Sequence, residues 1–486
     1  MVLRLRPPFK LHPILAPRRI SVRTARLMSA LALFFLLLSS CATAAQKPAR
    51  TIADLPPEAQ SGILAAIARS GSRFPASLQR RPANPPPTDG PWVQLAQPVG
   101  SADQLGYLYG TSVAVSGNIV VVGQVASALV FVKPTSGAWN NLTQSAVLLP
   151  SDSGTTDSFA ASVAISGNTI VVGSPPYLFC GTCDAGKAYV YVEPTGGWSG
   201  TLTETAQLTA SDGINDAGLG SSVGIAGNTV VVGAPGETPA GAAYVFVEPA
   251  SGWISATQTA KLTSSDGATG DAFGTSVSVS GNTIVAGAPT ATVNGSHTGA
   301  AYVFVEPVSG WANATQTAKL TASDGASNDY LGFSVAISGS TVVAGAPYAT
   351  GTSAGTGSSY LFVKPAGNWV NSNQTAKLTA PDGQSGDAFG SAVAIWNNTA
   401  VVGAPERSPG PLNFRGYPPW WREGGAYVFA RSGSGWTHPS VQVVNGADAR
   451  NDDLLGASVG ISGDLIVAGA PYLGKYLGGA FVFTKP

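Results

Sequence analysis

The chain has 486 residues, of which 44% are hydrophobic and only 11% are charged. Sixty Gly and 35 Pro, with abundant Val, Ala, Ser and Thr, favour short strands and tight turns over helices. The formal net charge is zero, but residues 82–486 hold 13 basic and 24 acidic groups, a balance near −11. This balance argues against nucleic acid as a partner, because phosphate binding needs clustered positive charge, and the hydrophobic content excludes a disordered chain.

Residues 1–41 predict an export signal. Arginines precede an apolar run from Leu27 to Leu38, which is too short to span a bilayer comfortably but suits a secretory signal peptide. Two processing routes are open. Leu38–Cys41 resembles a bacterial lipobox, in which Cys41 would be lipidated and tether the chain to a membrane, whereas Ala42–Ala44 suits ordinary signal-peptidase cleavage. We expect an extracytoplasmic protein, either secreted or lipid-anchored to the cell envelope.

Residues 42–90 predict a Pro-rich linker. Pro56 and Pro57 open a short helical stretch that ends near Arg69, because Pro is tolerated in the first turn of a helix. The segment Pro82–Pro91 is expected to be extended, as Pro-rich linkers are.

Residues 91–486 contain seven copies of one repeat. Each copy has a Trp, an alternating strand, a Phe-Gly-like step, a second strand, a Gly-Asn-like turn, a Val-rich strand and a last strand such as Ala301–Val305. The Gly that ends the Val-rich strand falls at positions 123, 173, 233, 287, 345, 403 and 469. Four short strands separated by tight turns predict a four-stranded antiparallel sheet. Seven such copies predict an all-β fold, a seven-bladed β-propeller.

The ends of the repeat region predict how the ring closes. Phe481–Phe483 lies in the third strand of the last copy, and no fourth strand follows it. Trp92–Ala96 looks like a fourth strand without its own copy. We expect residues 92–98 to pair with residues 480–485, because two open sheet edges would invite aggregation. A propeller closed in this way is expected to be monomeric.

Two motifs connect the repeat to a known family. Phe273-Gly274 with Gly287–Pro289, and Phe389-Gly390 with Gly403–Pro405, resemble the FG-GAP repeat of integrin α-chains. Gln316–Gly325, with the sequence QTAKLTASDG, resembles the lead-in of a bacterial group of these repeats. The resemblance spans residues 92–486 and recurs in phase seven times. It implies a seven-bladed propeller used for binding or adhesion outside the cytoplasm.

One property of the integrin α-chains does not carry over. Several of their blades hold calcium in a loop between the first two strands. The corresponding turns here, such as Ser166–Asn168, are too short to wrap six to eight oxygen ligands around Ca²⁺. We therefore expect no cofactor and no metal site in these turns.

Pairs of Asp recur in a different loop, between one blade and the next. Hydrogen bonding to nearby backbone amides would explain the repetition, and calcium binding is the alternative. The pairs are Asp152 with Asp157, Asp266 with Asp271, Asp324 with Asp329, and Asp382 with Asp387.

The longest insertion, Glu406–Gly424, predicts a ligand-binding loop on the face that carries the crossings between blades. Exposed aromatics combined with Arg are typical of recognition hot spots, so this loop is a candidate for stacking on a sugar or peptide. The alternative is that the insertion folds back and caps the ring. The candidate residues are Phe414, Arg415, Tyr417, Trp420, Trp421 and Arg422.

Cys180 and Cys183 form a Cys-x-x-Cys motif in the second copy. In an exported chain this spacing predicts a local disulfide. A redox centre would need a helix amino terminus, and a zinc site would need more ligands.

The chain lacks recognisable catalytic motifs. Its three His lie in unrelated segments, and the many Gly mark turns rather than phosphate-binding loops. We therefore expect a non-catalytic binding or adhesion protein that recognises an extracellular protein or glycan through loops of one face. Two alternatives are open: a carbohydrate-active hydrolase whose paired carboxylates meet on that face, and a purely structural surface scaffold.

Overall fold

The computed structural model describes residues 92–98, 108–135, 139, 143–152, 158–176, 184–408, 422–433, 435–446, 452–473 and 477–485. These residues form seven small sheets around a ring, so the predicted seven-bladed propeller is confirmed. The predicted signal peptide, residues 1–41, and the predicted linker, residues 42–90, lie outside the described residues. Strands are numbered β1–β34 in chain order.

The first strand of each blade lies innermost and contacts the first strands of both neighbouring blades. The contact between the first strands of blades 7 and 1 closes the ring. From blade 1 to blade 7 these strands are β2 Val113–Ser116, β6 Ser162–Ser166, β11 Ser222–Ala226, β16 Ser276–Ser280, β23 Ser334–Ser338, β28 Ala392–Trp396 and β32 Ser458–Ser462.

The second and third strands form the centre of each blade. Their Val-rich sequences suit strands that pack against other sheets on both faces. The second strands are β3 Ile119–Gln124, β7 Thr169–Ser174, β12 Thr229–Ala234, β17 Thr283–Ala288, β24 Thr341–Ala346, β29 Thr399–Gly403 and β33 Leu465–Ala470. The third strands are β4 Ser127–Val132, β8 Lys187–Val192, β13 Ala242–Val247, β20 Ala300–Val305, β25 Ser358–Val363, β30 Ala426–Ser432 and β34 Gly479–Thr484.

The fourth strands complete the blades. In blades 1–6 they are β5 Ala146–Leu149, β10 Ala206–Thr209, β15 Ala260–Thr263, β22 Ala318–Thr321, β27 Ala376–Leu378 and β31 Gly435–Val444. In blade 7 the fourth strand is β1, Val93–Ala96, which pairs antiparallel with β34 so that Val93 faces Thr484. The predicted closure by residues 92–98 is therefore confirmed.

Four blades carry a fifth strand that the sequence did not predict. These short strands pair parallel with the fourth strands of blades 1–4. They come from the segment after each Trp, which touches the preceding blade before it enters its own strand. They are β9 Gly200–Thr203, β14 Ala256–Thr257, β21 Ala314–Thr315 and β26 Ser372–Asn373. A separate hairpin, β18 Thr292–Val293 with β19 Ser296–His297, extends the loop between the second and third strands of blade 4.

A buried Trp lies at every boundary between blades. The described core divides into seven clusters, each with residues from two neighbouring blades and one Trp. None of the seven is more than 7% exposed, which confirms that they pack between blades. They are Trp92, Trp139, Trp198, Trp253, Trp311, Trp369 and Trp436.

The recurring glycines have a common role at the same boundaries. A Cβ on Gly287, at the end of the Val-rich strand of blade 4, would collide with the backbone carbonyl of Gly332 in blade 5. Gly332 has a φ of +87°, a conformation that side chains rarely adopt. Its N–H donates to the carbonyl of Gly345 within blade 5 at 3.0 Å. The FG and GAP glycines therefore let adjacent blades approach at the backbone.

Candidate functional site

The two ends of the ring carry different loops. We call the end with the crossings between blades, and with the loops from second to third strands, the top face. We call the end with the turns from first to second strands the bottom face. The bottom turns are two-residue hairpins, as between Ser280 and Thr283, whereas the top loops differ in length from blade to blade.

A layer of Tyr, Lys and Asp side chains recurs beneath the top face. In blade 4, Tyr302 of the third strand lies opposite Lys319 of the fourth strand. The Lys319 ammonium lies 5.3 Å from the centre of the Tyr302 ring and 2.6 Å from an Asp266 carboxylate oxygen. Asp266 belongs to the crossing from blade 3, so the cluster ties two blades together.

The same cluster recurs in neighbouring blades. Blade 3 uses Asp212, Lys261 and Tyr244, and blade 5 uses Asp324, Lys377 and Tyr360. These clusters were not predicted from the sequence. The Tyr that recurs in the third strand and the Lys that recurs in the fourth strand could have predicted them, because residues at facing positions of two paired strands lie on the same side of the sheet.

Two blades obtain the cation from elsewhere. In blade 2, Lys187 at the start of the third strand lies 2.9 Å from Asp152. In blade 6, Arg407 from the loop after the second strand lies 2.6 Å from Asp382 and donates to the Tyr427 hydroxyl at 2.9 Å. The crossing carboxylate thus keeps a cationic partner in blades 2–6 although the position of the cation changes.

These contacts set the ionisation of the crossing carboxylates. Burial disfavours the charged form of Asp266, but the hydrogen bond and the charge of Lys319 outweigh it and hold its pKa below the usual value. Asp382 behaves alike, with Tyr427 and Arg407 as the opposing partners, so its pKa is also lowered. Both groups are carboxylates at neutral pH, which suits a structural role better than proton donation.

The second Asp of each described pair has a backbone partner. Asp271, Asp329 and Asp387 each accept the N–H of the residue three positions earlier, at 2.8 to 2.9 Å. This confirms the interpretation of these residues as hydrogen-bond acceptors in turns. Burial raises the pKa of Asp329 and of Asp387, partly opposed by that backbone hydrogen bond. Asp157 lies outside the described residues.

A groove of about 470 Å³ opens at the outer edge of the top face in blade 4. The β18–β19 hairpin forms one side, and the fourth and fifth strands form the other. We call it the asparagine groove. Its lining residues are Asp266, Thr292, Val293, Asn294, Lys319, Thr321, Asn371, Ser372 and Asn373.

Two Asn side chains line this groove, Asn371 directly before the fifth strand and Asn373 within it. The Oδ1 atom of Asn371 accepts the backbone N–H of Lys319 at 2.7 Å, and the Oδ1 atom of Asn373 accepts the Thr321 hydroxyl at 2.9 Å. Both Asn residues are exposed, and among the described residues neither Nδ2 group has a hydrogen-bond partner. Since each oxygen is engaged, each amide presents two N–H donors to the groove.

A second cavity, of about 240 Å³, lies on the ring axis where the seven first strands begin. At one equivalent lining position, six of the seven blades have a Ser that donates its hydroxyl to a backbone carbonyl of the next blade. These are Ser112, Ser162, Ser222, Ser276, Ser334 and Ser458. These six hydroxyls therefore serve contacts between blades.

Most of the binding and covalent sites predicted from the sequence lie outside the described residues. This applies to Phe414, Arg415, Tyr417, Trp420 and Trp421, and to Cys41, Cys180 and Cys183. Arg422 is described, and its guanidinium pairs with the Glu406 carboxylate across the base of the same loop.

Two further properties of the described residues bear on the site. They contain no cluster of three or more His, Cys, Asp or Glu arranged to hold a metal ion. Within the same part of the chain, no helix has the length and apolar character needed to cross a membrane.

Comparison with known proteins identifies the repeat. The family described as FG-GAP repeat matches residues 142–191, 202–246, 256–304, 314–362 and 372–429, just over half of the chain. Each matched stretch runs from the outer part of one blade to the third strand of the next. No curated protein matches the chain significantly. An FG-GAP propeller indicates a binding or scaffold role, and the chain belongs to the FG-GAP repeat family.

Proposed function

We propose that this protein is an exported, non-catalytic propeller that binds a glycan on its top face, with the asparagine groove as the contact site. The observation that carries the proposal is the pair of amides at Asn371 and Asn373, whose N–H groups are held by the oxygen contacts described above. Directed amide donors beside the Asp266 carboxylate suit the adjacent hydroxyls of a sugar, which both donate and accept hydrogen bonds.

The charges in the groove favour a neutral or weakly charged ligand. Lys319 and Asp266 neutralise each other at 2.6 Å, so neither presents an unbalanced charge. Val293 is the one apolar side chain in the described lining and offers a small surface to a sugar ring. An uncharged glycan segment fits this combination better than a phosphate or an acidic peptide.

Binding is preferred over hydrolysis because of the state of the crossing carboxylates. Asp152, Asp212, Asp266, Asp324 and Asp382 each have a cationic partner and a lowered pKa. A glycosidase needs one carboxyl group that stays protonated as the general acid, and these five groups do not supply it. Asp329 and Asp387 have a raised pKa, but both side chains are buried and accept a backbone N–H.

A glycan array with the purified protein tests the proposal. Substituting both Asn371→Ala and Asn373→Ala should weaken binding of the best glycan by about tenfold or more, since two hydrogen-bonding groups are removed. Asn313→Ala is the matched control, because Asn313 accepts the Lys261 N–H at 2.7 Å in the same way on the neighbouring blade. Binding no glycan, or equal losses in the variant and the control, would contradict the proposal.

The insertion Glu406–Gly424, predicted from the sequence as a ligand-binding loop, is tested in the same glycan-binding experiment. If Trp420→Ala with Trp421→Ala abolishes binding while the two Asn substitutions do not, the ligand contacts the loop instead of the groove. Hydrolysis of any array glycan, lost on substitution of one top-face carboxylate, would favour the carbohydrate-active alternative.

A further inference from the structure

The bottom face carries a charge at one position that repeats in every blade. The residue at the bottom end of the third strand, or directly after that strand, is charged in all seven blades. In blade 4 this residue is Glu306, whose backbone N–H donates to the Asn282 carbonyl of the bottom turn at 2.8 Å. Strand register establishes the equivalence, because the preceding residue always pairs with the first residue of the second strand. Val305 pairs with Thr283 in this way. We call these seven positions the bottom rim.

Acidic and basic residues occupy separate halves of the bottom rim. Blades 2, 3 and 4 present Glu193, Glu248 and Glu306. Blades 5, 6, 7 and 1 present Lys364, Arg431, Lys485 and Lys133. The basic blades are contiguous because blade 7 adjoins blade 1. Asp464, in the bottom turn of blade 7, adds one negative charge to the basic half. The net charges of the two halves are therefore equal in size and opposite in sign.

The charges of the bottom rim have no ion-pair partner in the described part of the chain. Among the described residues none of the seven lies within 4.0 Å of an opposite charge, whereas the four described top-face Lys residues each do. Lys485 contacts the Trp92 ring instead, at 5.5 Å. All seven side chains are at least partly exposed. Collecting like charges in one half increases their mutual repulsion, which an oppositely charged surface would offset.

We propose that the bottom rim binds the bottom rim of a second copy of this chain, in a pair with two-fold symmetry. The acidic half is centred on blade 3, and the basic half is centred between blades 6 and 7, which lies directly across a ring of seven. A half-turn about an axis in the contact plane then places each acidic half over the basic half of the other copy. A two-fold interface requires a surface that is complementary to itself, and this charge pattern meets that condition.

Two exposed apolar side chains on the bottom face support a contact there. Trp396, the last residue of the first strand of blade 6, is 45% exposed beside the bottom turn and stands where five other blades have Ser. Val308, in the loop after the third strand of blade 4, is fully exposed. Protein interfaces are enriched in aromatic side chains such as that of Trp396, and a second copy would bury both residues.

This inference departs from the monomer expected from the sequence. The seven charged residues are spread over more than 350 positions of the chain, and only the ring brings them to one face. The proposal is independent of the glycan site, which lies on the opposite face.

Sedimentation of the purified protein at two salt concentrations tests the proposal first. Charges interact over about 30 Å at 10 mM salt but only about 3 Å at 1 M. We expect dimers at low salt, and a dissociation constant that rises by about tenfold or more at high salt. A protein that stays monomeric at low salt and high protein concentration would overturn the proposal. This would hold even if a different partner were found to bind the rim.

Charge reversal then tests the rim itself. The variant E193K/E248K/E306K has a wholly basic rim, and the variant K133E/K364E/R431E has a mainly acidic one. Each variant alone should be monomeric, and an equimolar mixture should form heterodimers at low salt. Failure of the mixture to associate would overturn the proposal. The control D216N/E423Q/D452N removes three top-face charges that form no ion pair among the described residues. It should dimerise like the unchanged protein, and circular dichroism should confirm that all four proteins are folded.

Discussion

The hydroxyl of Ser276 donates a 2.8 Å hydrogen bond to the backbone carbonyl of Gly332, which joins blade 4 to blade 5. Gly287, on the adjacent strand of blade 4, presents its bare Cα to the same carbonyl. One oxygen atom therefore meets both strands of the preceding blade. The repeat places this arrangement at most boundaries of the ring, so small changes at these residues should change the stability of the whole domain.

Gly287→Ala should lower the stability of the ring strongly. The new Cβ would collide with the Gly332 carbonyl. The Cβ position is set by the backbone of residue 287 and the carbonyl is itself backbone, so neither can move without shifting a blade. We expect a loss of about 2–3 kcal/mol in the free energy of unfolding, measured by urea denaturation. Gly196→Ala is the control, because nothing lies within 4 Å of a Cβ at that position. Equal effects of the two substitutions would contradict this account of the repeat.

The hydroxyl contact can be removed in one blade and introduced in another. Ser276→Ala should cost about 1 kcal/mol, since it leaves a carbonyl without one of its donors. Blade 6 has Ala392 at the equivalent position, so Ala392→Ser should stabilise the ring by about 0.5–1 kcal/mol through a bond to the Gly456 carbonyl. Thermal unfolding of both variants measures the effects. Destabilisation by Ala392→Ser would argue against a stabilising role for the hydroxyl contact between blades.

Ring closure depends on β1 and on Trp92. Trp92 is only 7% exposed and lies in the cluster between blades 6 and 7. Its backbone N–H donates to the Gln442 side chain at 2.9 Å. Trp92→Ala should cost about 3–5 kcal/mol, as for other buried aromatics, and deletion of residues 91–99 should lower the thermal midpoint further. The control Val93→Ala changes a residue that is 41% exposed; an unchanged midpoint after the deletion would refute the closure.

Stability should fall in acid because of the crossing carboxylates. The folded pKa of Asp266 lies below the unfolded value of about 3.9, so its contribution is present above that pH and is lost as the pH falls through the folded pKa. Asp266 is 45% exposed, so solvent screens the pair and we expect less than about 1 kcal/mol from it. Chemical denaturation between about pH 2 and pH 6 measures the slope.

Two variants separate the contribution of the Asp266–Lys319 pair to the pH dependence of stability from that of a buried carboxyl group. Asp266→Asn with Lys319→Met should flatten the acid limb. Asp329 has a raised pKa through burial, so its contribution is present at low pH and is lost as the pH rises through the folded value. Asp329→Asn should therefore make the acid limb steeper. The same change of slope in both variants would contradict the assignment.

Much of the fold follows from local patterns. The seven-fold recurrence of a Trp, of a Phe-Gly-like step and of the Gly that ends the Val-rich strand specified the number of blades, because each copy is a sheet that can bury its faces only against its neighbours. The unmatched strands at residues 92–98 and 480–485 specified the closure, because strand edges need partners. The parallel fifth strands, such as Ser372–Asn373, were not foreseen, since two-residue strands leave no periodic signal.

The residues of the candidate sites depend on the ring itself. The sequence by itself determined the repeat, the strand order and the turn chemistry, because these depend on neighbours along the chain. Only the tertiary structure decided that Arg407 replaces a strand Lys beside Asp382, that Asn371 and Asn373 border a groove with a hairpin about 80 residues earlier, and that seven charges divide the bottom rim. These contacts join distant segments, and their geometry is set when packed blades close into a circle.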